Sequence, residues 1–126
     1  MKLLVDGNAV IWYAEDARPL ADTARAAIES PANEKHVSVA TIWELTIKAK
    51  TGKLRFSPDL RDRLRAAGFL ELNISGDQAV QAAQLPLLHR DPFDRLLVAQ
   101  AQLEGMTIVT SDSVIAHYDV PVIPAG

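Results

Sequence analysis

Cysteine is absent from the chain of 126 residues, and only three histidines are present. The absence of cysteine excludes disulfide scaffolds, thiolate zinc sites and cysteine nucleophiles, and it is compatible with a reducing compartment. The histidines, His36, His89 and His117, lack the spacing of a zinc site. Long apolar runs are also missing, and Asp6 interrupts the N-terminal apolar run too early for a signal peptide. These features predict a cytoplasmic protein without a membrane segment.

Glycine-rich phosphate loops and an excess of positive charge are missing as well. No Walker-type or Gly-x-Gly-x-x-Gly loop opens the first predicted helix, so the usual nucleotide cradle has no support. The formal net charge of −3 argues against a nucleic-acid binder, because affinity for phosphates normally comes from clustered lysine and arginine. The basic residues are nevertheless grouped, as Lys48, Lys50, Lys53 and Arg55 and as Arg61, Arg63 and Arg65. Each group is either a phosphate-binding surface or a solvated helix face.

Short apolar runs that alternate with helical patterns predict the fold. The length and the 48% hydrophobic content suit one domain over residues 1–126 with a buried core. The pattern predicts strands over 2–5, 36–39, 70–74, 107–110 and 120–123, and helices over 9–14, 21–30, 40–50, 59–67, 76–84 and 91–104. Buried strands separated by helices form parallel sheets. The fold class is therefore α/β, with a short central parallel sheet flanked by helices on both faces.

Acidic residues are the candidate chemistry of the chain. Asp6 and Asp112 each follow a predicted strand, and ligands of open parallel sheets gather beyond the carboxyl ends of the strands. Glu44 lies on the helix after the second strand, and Asp94 lies in the first turn of the helix before the fourth, where it shares a face with apolar residues. A half-buried Asp94 needs a positive partner, which a divalent metal would supply.

Each acid also has an ordinary structural explanation. Asp6 could be a turn residue, and Asp112 could cap a helical stretch over 113–117. Glu44 could pair with Lys48 one helical turn later, and Asp94 could be an acid that the helix dipole favours in a first turn. Spacing alone therefore indicates no more than a possible metal site. The two tryptophans, Trp12 and Trp43, lie on amphipathic helices and are interpreted as core or interface aromatics rather than as platforms for nucleic-acid bases.

Four stretches of the sequence resemble the PIN-domain ribonucleases, and within them the VapC-type toxins of toxin–antitoxin pairs. They are the opening Leu3-Leu4-Val5-Asp6, the stretch from Val37 to Lys48 with Gly52-Lys53-Leu54, the run from Leu85 to Gln100, and Val109-Thr-Ser-Asp112. The run over His89 to Gln100, which contains Asp-Pro-Phe-Asp94, is the most specific. The resemblance extends over nearly the whole chain.

The resemblance implies a metal-dependent ribonuclease. Its acidic cluster would be Asp6, Glu44, Asp94 and Asp112, which would hold Mg²⁺ or Mn²⁺ and catalyse hydrolysis of an RNA phosphodiester, whereas Asp91 would cap a helix. Arg95 and the cluster Lys48 to Arg55 are candidates for contacts to the RNA backbone. The resemblance also implies a homodimer that a cognate antitoxin holds inactive.

One departure from the family's pattern leaves an alternative open. The family usually has Thr after its first Asp, whereas this chain has Gly7 after Asp6. The hydroxyl that would orient Asp6 is missing, and glycine loosens the backbone. The alternative is a catalytically attenuated PIN-fold binding module. A receiver or aspartyl phosphatase is a poorer alternative, because the last lysine is Lys53 and no second Asp stands two positions after Asp6.

Overall fold

A computed structural model describes all residues, 1–126. Its strands are β1 (Lys2–Val5), β2 (Glu34–Ser38), β3 (Leu70–Leu72), β4 (Thr107–Thr110) and β5 (Val122–Pro124), and its α-helices are α1 (Gly7–Ala14), α2 (Asp22–Glu29), α3 (Val39–Lys50), α4 (Leu60–Ala66), α5 (Gly76–Gln84) and α6 (Pro92–Glu104). A short 3-10 helix, Ile115–His117, replaces the helical stretch expected over 113–117. No helix combines the length and the apolar character that crossing a membrane requires.

The five strands form one parallel sheet in the order β3-β2-β1-β4-β5. The α/β prediction with an all-parallel sheet is thus confirmed. The chain moves outward from the central β1 to β2 and β3 on one side, and then crosses back to place β4 and β5 on the other. The strand order therefore reverses between β1 and β4. In open α/β sheets, this is the point at which ligands bind.

Helices cover both faces of the sheet because neighbouring residues of each strand point to opposite sides. In β1, Leu3 and Val5 belong to a core cluster formed with α1 to α4, whereas Leu4 belongs to a second cluster formed with α6 and the 3-10 helix. In β4, Val109 belongs to the first cluster and Ile108 to the second. All five of these residues are completely buried. The two central strands are thus covered on both faces, which explains their continuous apolar sequences.

The element boundaries depart from prediction by up to two residues, within the fold as well as at the sheet edges: the strand expected over 36–39 spans Glu34–Ser38, and the helix expected from residue 9 begins at Gly7. The strand expected over 70–74 ends at Leu72, and the strand expected over 120–123 begins and ends later, at Val122–Pro124. Edge strands pair on one side only, so their short apolar runs carry less pattern than the central strands do. The predicted bounds 2–5, 76–84 and 107–110 are confirmed.

Candidate functional site

A polar cleft of about 100 Å³ lies beside the reversal point of the sheet. Four predicted site residues, Asp6, Glu44, Asp94 and Asp112, all line it. Each comes from a different place in the fold, namely the end of β1, the middle of α3, the first turn of α6 and the loop after β4. All four acids therefore line one cleft, but only Asp94 and Asp112 belong to a group whose ligand atoms lie within 4.8 Å of one another, and Asp6 and Glu44 stand further apart in the same cleft.

Asp6 is the most deeply placed of these acids. It is the N-cap of α1, where its Oδ1 accepts a hydrogen bond of 3.0 Å from the amide of Ala9. Its Oδ2 accepts a hydrogen bond from the hydroxyl of Thr110 at the end of β4. Burial raises the pKa of Asp6, the two hydrogen bonds oppose the rise, and Asp112 and Glu44 add to it as like charges. Both carboxylate oxygens are thus fixed although residue 7 lacks a hydroxyl.

Gly7 also has a role in packing α1 against α3. A Cβ placed there would lie 3.2 Å from Leu45 Cδ2 and 3.8 Å from Glu44 Oε1. The glycine therefore allows the start of α1 to approach α3 closely, and it does so without a left-handed backbone conformation. The looser backbone expected from Gly7 has no counterpart in the structure, since Gly7 belongs to the first turn of α1.

Glu44 reaches the cleft from α3 with a side chain that is 14% exposed. Its Oε2 lies 3.3 Å from Lys48 Nζ, so the pairing that the sequence offered as an ordinary explanation also exists. The two interpretations are compatible because a carboxylate has two oxygens. Lys48 is half-exposed and lines the cleft together with Glu44.

Asp94 is half-buried in the first turn of α6, as its helical position predicted. Burial, followed by the like charges of Asp91 and of other carboxylates, raises its pKa to about 7, and only His89 acts in the opposite direction. Asp91 performs the predicted capping role, because its side chain accepts a 2.8 Å hydrogen bond from the amide of Phe93. Pro92 occupies the first helical position, where its missing N–H is not needed.

Asp112 combines a capping role with a place in the cleft. Its Oδ1 accepts a 2.8 Å hydrogen bond from the amide of Val114, and its own amide donates to Thr110 Oγ1 at 3.0 Å. Burial would raise its pKa, but the hydrogen bonds from His89 and Val114 outweigh that effect and hold the pKa below its usual range. Asp112 is therefore a carboxylate at neutral pH.

His89 is the site residue that the sequence analysis missed. Its Nε2 lies 2.6 Å from Asp112 Oδ2 and 3.1 Å from Asp94 Oδ2, and the ligand atoms of the three residues lie within 4.8 Å of one another. The sequence analysis set His89 aside because no second histidine stands at metal-ligand spacing. That criterion tests for metal ligation only, and it does not detect a histidine whose partners are carboxylates. The available signal was its place two residues before the capping Asp91.

The donors of the cleft suit a hard divalent cation. Five carboxylates line it, and Lys48 is the one cation among its lining residues. Carboxylate oxygens are the ligands that Mg²⁺ and Mn²⁺ prefer, and no thiolate is present. The raised pKa values of Asp6 and Asp94 show that these buried acids lack a sufficient opposite charge. The residues present therefore fit a divalent ion.

A second, wider groove of about 500 Å³ adjoins the cleft and shares Glu44, Lys48 and Asp91 with it. Lys53 and Arg90 add positive charge to its lining. The cluster Lys48 to Arg55 thus contributes two lysines to a groove that leads to the acids.

The expectation for Arg95 was wrong, and of the two interpretations of Trp43, as a core or as an interface aromatic, the structure contradicts the first. Arg95 faces away from the groove and donates hydrogen bonds to three carbonyls at the end of α5, those of Ala82, Ala83 and Leu85. Its role is helix capping rather than contact with a substrate. Trp43 is not a core residue, because it is 62% exposed; it packs edge-to-face with Phe93, at 5.4 Å between ring centroids. Trp12, in contrast, packs against the core cluster of α1 to α4.

Comparison with known proteins agrees with this fold. The family model of the PIN domain matches residues 3–121, whereas no curated protein matches the chain. A toxin–antitoxin complex from Klebsiella pneumoniae is similar at 25% identity with a TM-score of 0.68, over 97% of this chain and 96% of that chain. VapBC2 from Rickettsia felis, bound to a DNA fragment from its promoter, is similar at 12% identity with a TM-score of 0.72, over 100% of both chains. Since the matched residues make up nearly all of the sequence, the chain belongs to the PIN domain family.

Proposed function

We propose that this chain is a metal-dependent ribonuclease that hydrolyses RNA phosphodiester bonds. The observation that carries the proposal is the convergence of Asp6, Glu44, Asp94 and Asp112 in one cleft at the reversal point of a PIN-domain sheet. The capping and pairing roles of the individual acids explain why each is present in its own element, but they do not explain why all four face the same cleft. Together the four acids form an oxygen-rich site beside a groove of about 500 Å³ whose lining includes Lys48, Lys53 and Arg90.

The chemistry follows from what each residue can do. Asp6, Glu44, Asp94 and Asp112 would hold Mg²⁺ or Mn²⁺, with Asp6 and Asp112 fixed in place by Thr110. A divalent ion bound there would supply a water acidic enough to attack phosphorus and would neutralise charge on the phosphate. Lys48 and Lys53 would contact the RNA backbone along the groove and orient the scissile phosphate above the acids.

We infer further that the chain is the toxin component of a toxin–antitoxin system. The support is the structural similarity to the Klebsiella pneumoniae toxin–antitoxin complex over nearly the full length of both chains. A cognate antitoxin protein would be the partner, and a homodimer would be the assembly. An antitoxin segment that occupies the groove over Lys48 and Lys53 would exclude RNA from the acids.

The attenuated binding module is the weaker candidate. Its argument was the loss of a hydroxyl at Gly7, and the hydroxyl of Thr110 now accounts for the orientation of Asp6. The close approach of Gly7 to Leu45 gives the glycine a packing role of its own. Catalysis is therefore the function that the site supports best.

The deciding experiment is cleavage of a defined, unstructured RNA by purified protein in Mg²⁺, in Mn²⁺ and in chelator. We expect cleavage with either metal and none in chelator, and we expect Asp6→Asn and Asp94→Asn each to abolish it without unfolding the protein. Asp77→Asn is the matched control, because Asp77 is also an acid in the first turn of a helix but is exposed on α5. Cleavage that persists in chelator, or that survives both site substitutions, would refute the proposal.

A further inference from the structure

His89 has two possible relations to the carboxylates that it contacts. Its ring, 17% exposed, places Nε2 within hydrogen-bond distance of both Asp94 Oδ2 and Asp112 Oδ2. A nitrogen in that position is either a third ligand for a shared metal ion or an N–H donor that joins the two acids. The two roles require different tautomers, so the opposite side of the ring distinguishes them.

The backbone amide of Asp91 fixes the tautomer. It donates a 3.1 Å hydrogen bond to His89 Nδ1, so Nδ1 presents its lone pair there. The neutral ring therefore carries its proton on Nε2, where that proton points at the carboxylates. Metal ligation through Nε2 would move the proton to Nδ1 and set it against the Asp91 N–H. The structure thus favours His89 as an N–H donor to the carboxylates over His89 as a metal ligand.

The backbone of His89 is held as firmly as its ring. Its amide donates a 2.9 Å hydrogen bond to the hydroxyl oxygen of Tyr118, and that hydroxyl donates to the carbonyl of Pro86 at 2.7 Å. Tyr118 is only 6% exposed and belongs to the core cluster beneath α6. A chain of hydrogen bonds therefore runs from the core through Tyr118 and His89 to Asp112, and Asp94 lies beside its end, 3.1 Å from His89 Nε2.

We propose that His89 is a positioning residue, which holds Asp94 and Asp112 at a fixed separation through its Nε2–H and is not itself a metal ligand. The N–H hydrogen-bonds to Asp112 Oδ2 and lies close to Asp94 Oδ2, with Nε2 3.1 Å from that oxygen, so its positive end separates two carboxylates that would otherwise repel each other. The second oxygen of Asp94 then remains free to face a cation. This inference rests on the proposed function only in assuming that the acids bind a metal.

The test compares Mn²⁺ binding by the full-length parent with that by His89→Gln, His89→Ala and Tyr118→Phe, measured by titration calorimetry. Loss of a group that orients a metal ligand typically lowers affinity by about 10- to 100-fold, and we expect this of His89→Ala. His89→Gln should keep most of the affinity because its amide N–H can replace Nε2–H. Tyr118→Phe keeps the core packing but releases the backbone of His89, so we expect a smaller loss. His117→Ala, at an exposed histidine, is the control.

Two spectroscopic measurements separate donor from ligand. In metal-free protein, nitrogen-15 NMR of the imidazole should show the Nε2–H tautomer for His89. With Mn²⁺ bound, electron spin-echo modulation should show no imidazole nitrogen coupled to the ion. A coupled nitrogen that disappears in His89→Gln, or unchanged affinity in His89→Ala, would overturn the proposal. If the parent binds no Mn²⁺, the proposed function fails. The tautomer of His89 then decides whether His89 positions the two acids, because an Nδ1–H ring would overturn that role.

Discussion

Thr110 donates a hydrogen bond from its hydroxyl to Asp6 Oδ2, and this contact ties the ends of the two central strands to each other. The same hydroxyl oxygen accepts the amide of Asp112. One buried side chain thus orients one acid directly and another through the backbone. Sequence reasoning overlooked it because Thr110 looks like an ordinary β-branched strand residue.

We predict that Thr110→Val weakens both the fold and the metal site. Valine keeps the shape but leaves Asp6 Oδ2 and the Asp112 amide without a partner, which costs about 1–3 kcal/mol for a buried group. The pKa of Asp6, already raised by burial, should rise further and lower the Mn²⁺ affinity. Urea unfolding and Mn²⁺ titration measure the two effects. Thr107→Val, on the same strand but less buried, should change neither.

The second prediction concerns Gly7. If the missing hydroxyl attenuated the enzyme, Gly7→Thr would raise the rate of RNA cleavage. We expect no increase, because Asp6 already has a donor on each oxygen and the new Cβ would lie 3.2 Å from Leu45 Cδ2. Thermal melts should show a loss of stability of about 1–3 kcal/mol from overpacking, smaller for Gly7→Ala. A rate several times that of the parent would instead support the attenuated interpretation.

The third prediction tests Trp43 as a platform for an unpaired base beside the groove. Its indole is 62% exposed and packs edge-to-face with Phe93, so most of the ring is accessible for stacking. Stacking is worth about 1–3 kcal/mol per base, so Trp43→Ala should weaken RNA binding by about 5- to 150-fold, whereas Trp43→Phe should keep most of it. Fluorescence anisotropy in an Asp6→Asn background separates binding from cleavage.

Leu103→Ala is the control for Trp43, since Leu103 is another exposed apolar residue, 49% exposed, at the far end of α6. Unchanged RNA affinity in Trp43→Ala, combined with a smaller sedimenting species, would place Trp43 in a protein interface instead. That result would agree with its original interpretation as an interface aromatic.

Most of the fold was predictable because local and long-range signals agree. The helix over 76–84 was predicted with correct ends, and its capping box between Ser75 and Gln78 explains why the start is so well defined. The central strands were predicted from continuous apolar runs that both faces of the sheet bury. Asp6 and Asp112 followed from the position of their strands.

What the sequence did not reveal are contacts between distant segments. Thr110 meets Asp6 across 104 positions, and His89 meets Asp112 across 23. Arg95 was misassigned for the same reason, because its partners are carbonyl groups, which are present at every residue and leave no pattern. Composition and periodicity indicate the secondary structure to which a residue belongs. The roles of these residues depend instead on which distant segment of the chain lies next to them in the folded protein.

The last prediction concerns the dependence of stability on pH through Asp94. Burial and neighbouring carboxylates raise its folded-state pKa to about 7, against the usual 3.8. The folded protein therefore holds a proton that the unfolded chain releases, so stability is greatest below about pH 4 for this group and is lost as pH rises through 7. At about 1.36 kcal/mol per pKa unit the loss is no more than about 4 kcal/mol, and less where water reaches the side chain.

Asp94→Asn should remove that dependence, because an amide does not titrate. In chelator we expect the variant to match the parent near pH 4 and to be at least as stable near pH 8. Added Mn²⁺ should stabilise the parent by mass action on its folded state but give the variant little. Thermal melts at both pH values, with chelator or Mn²⁺, measure these differences, and Asp77→Asn should follow the parent throughout. A variant clearly less stable than the parent at pH 8 in chelator would mean that the Asp94 carboxylate stabilises α6 as a first-turn charge, and that the crowding of the acids costs less than its pKa implies.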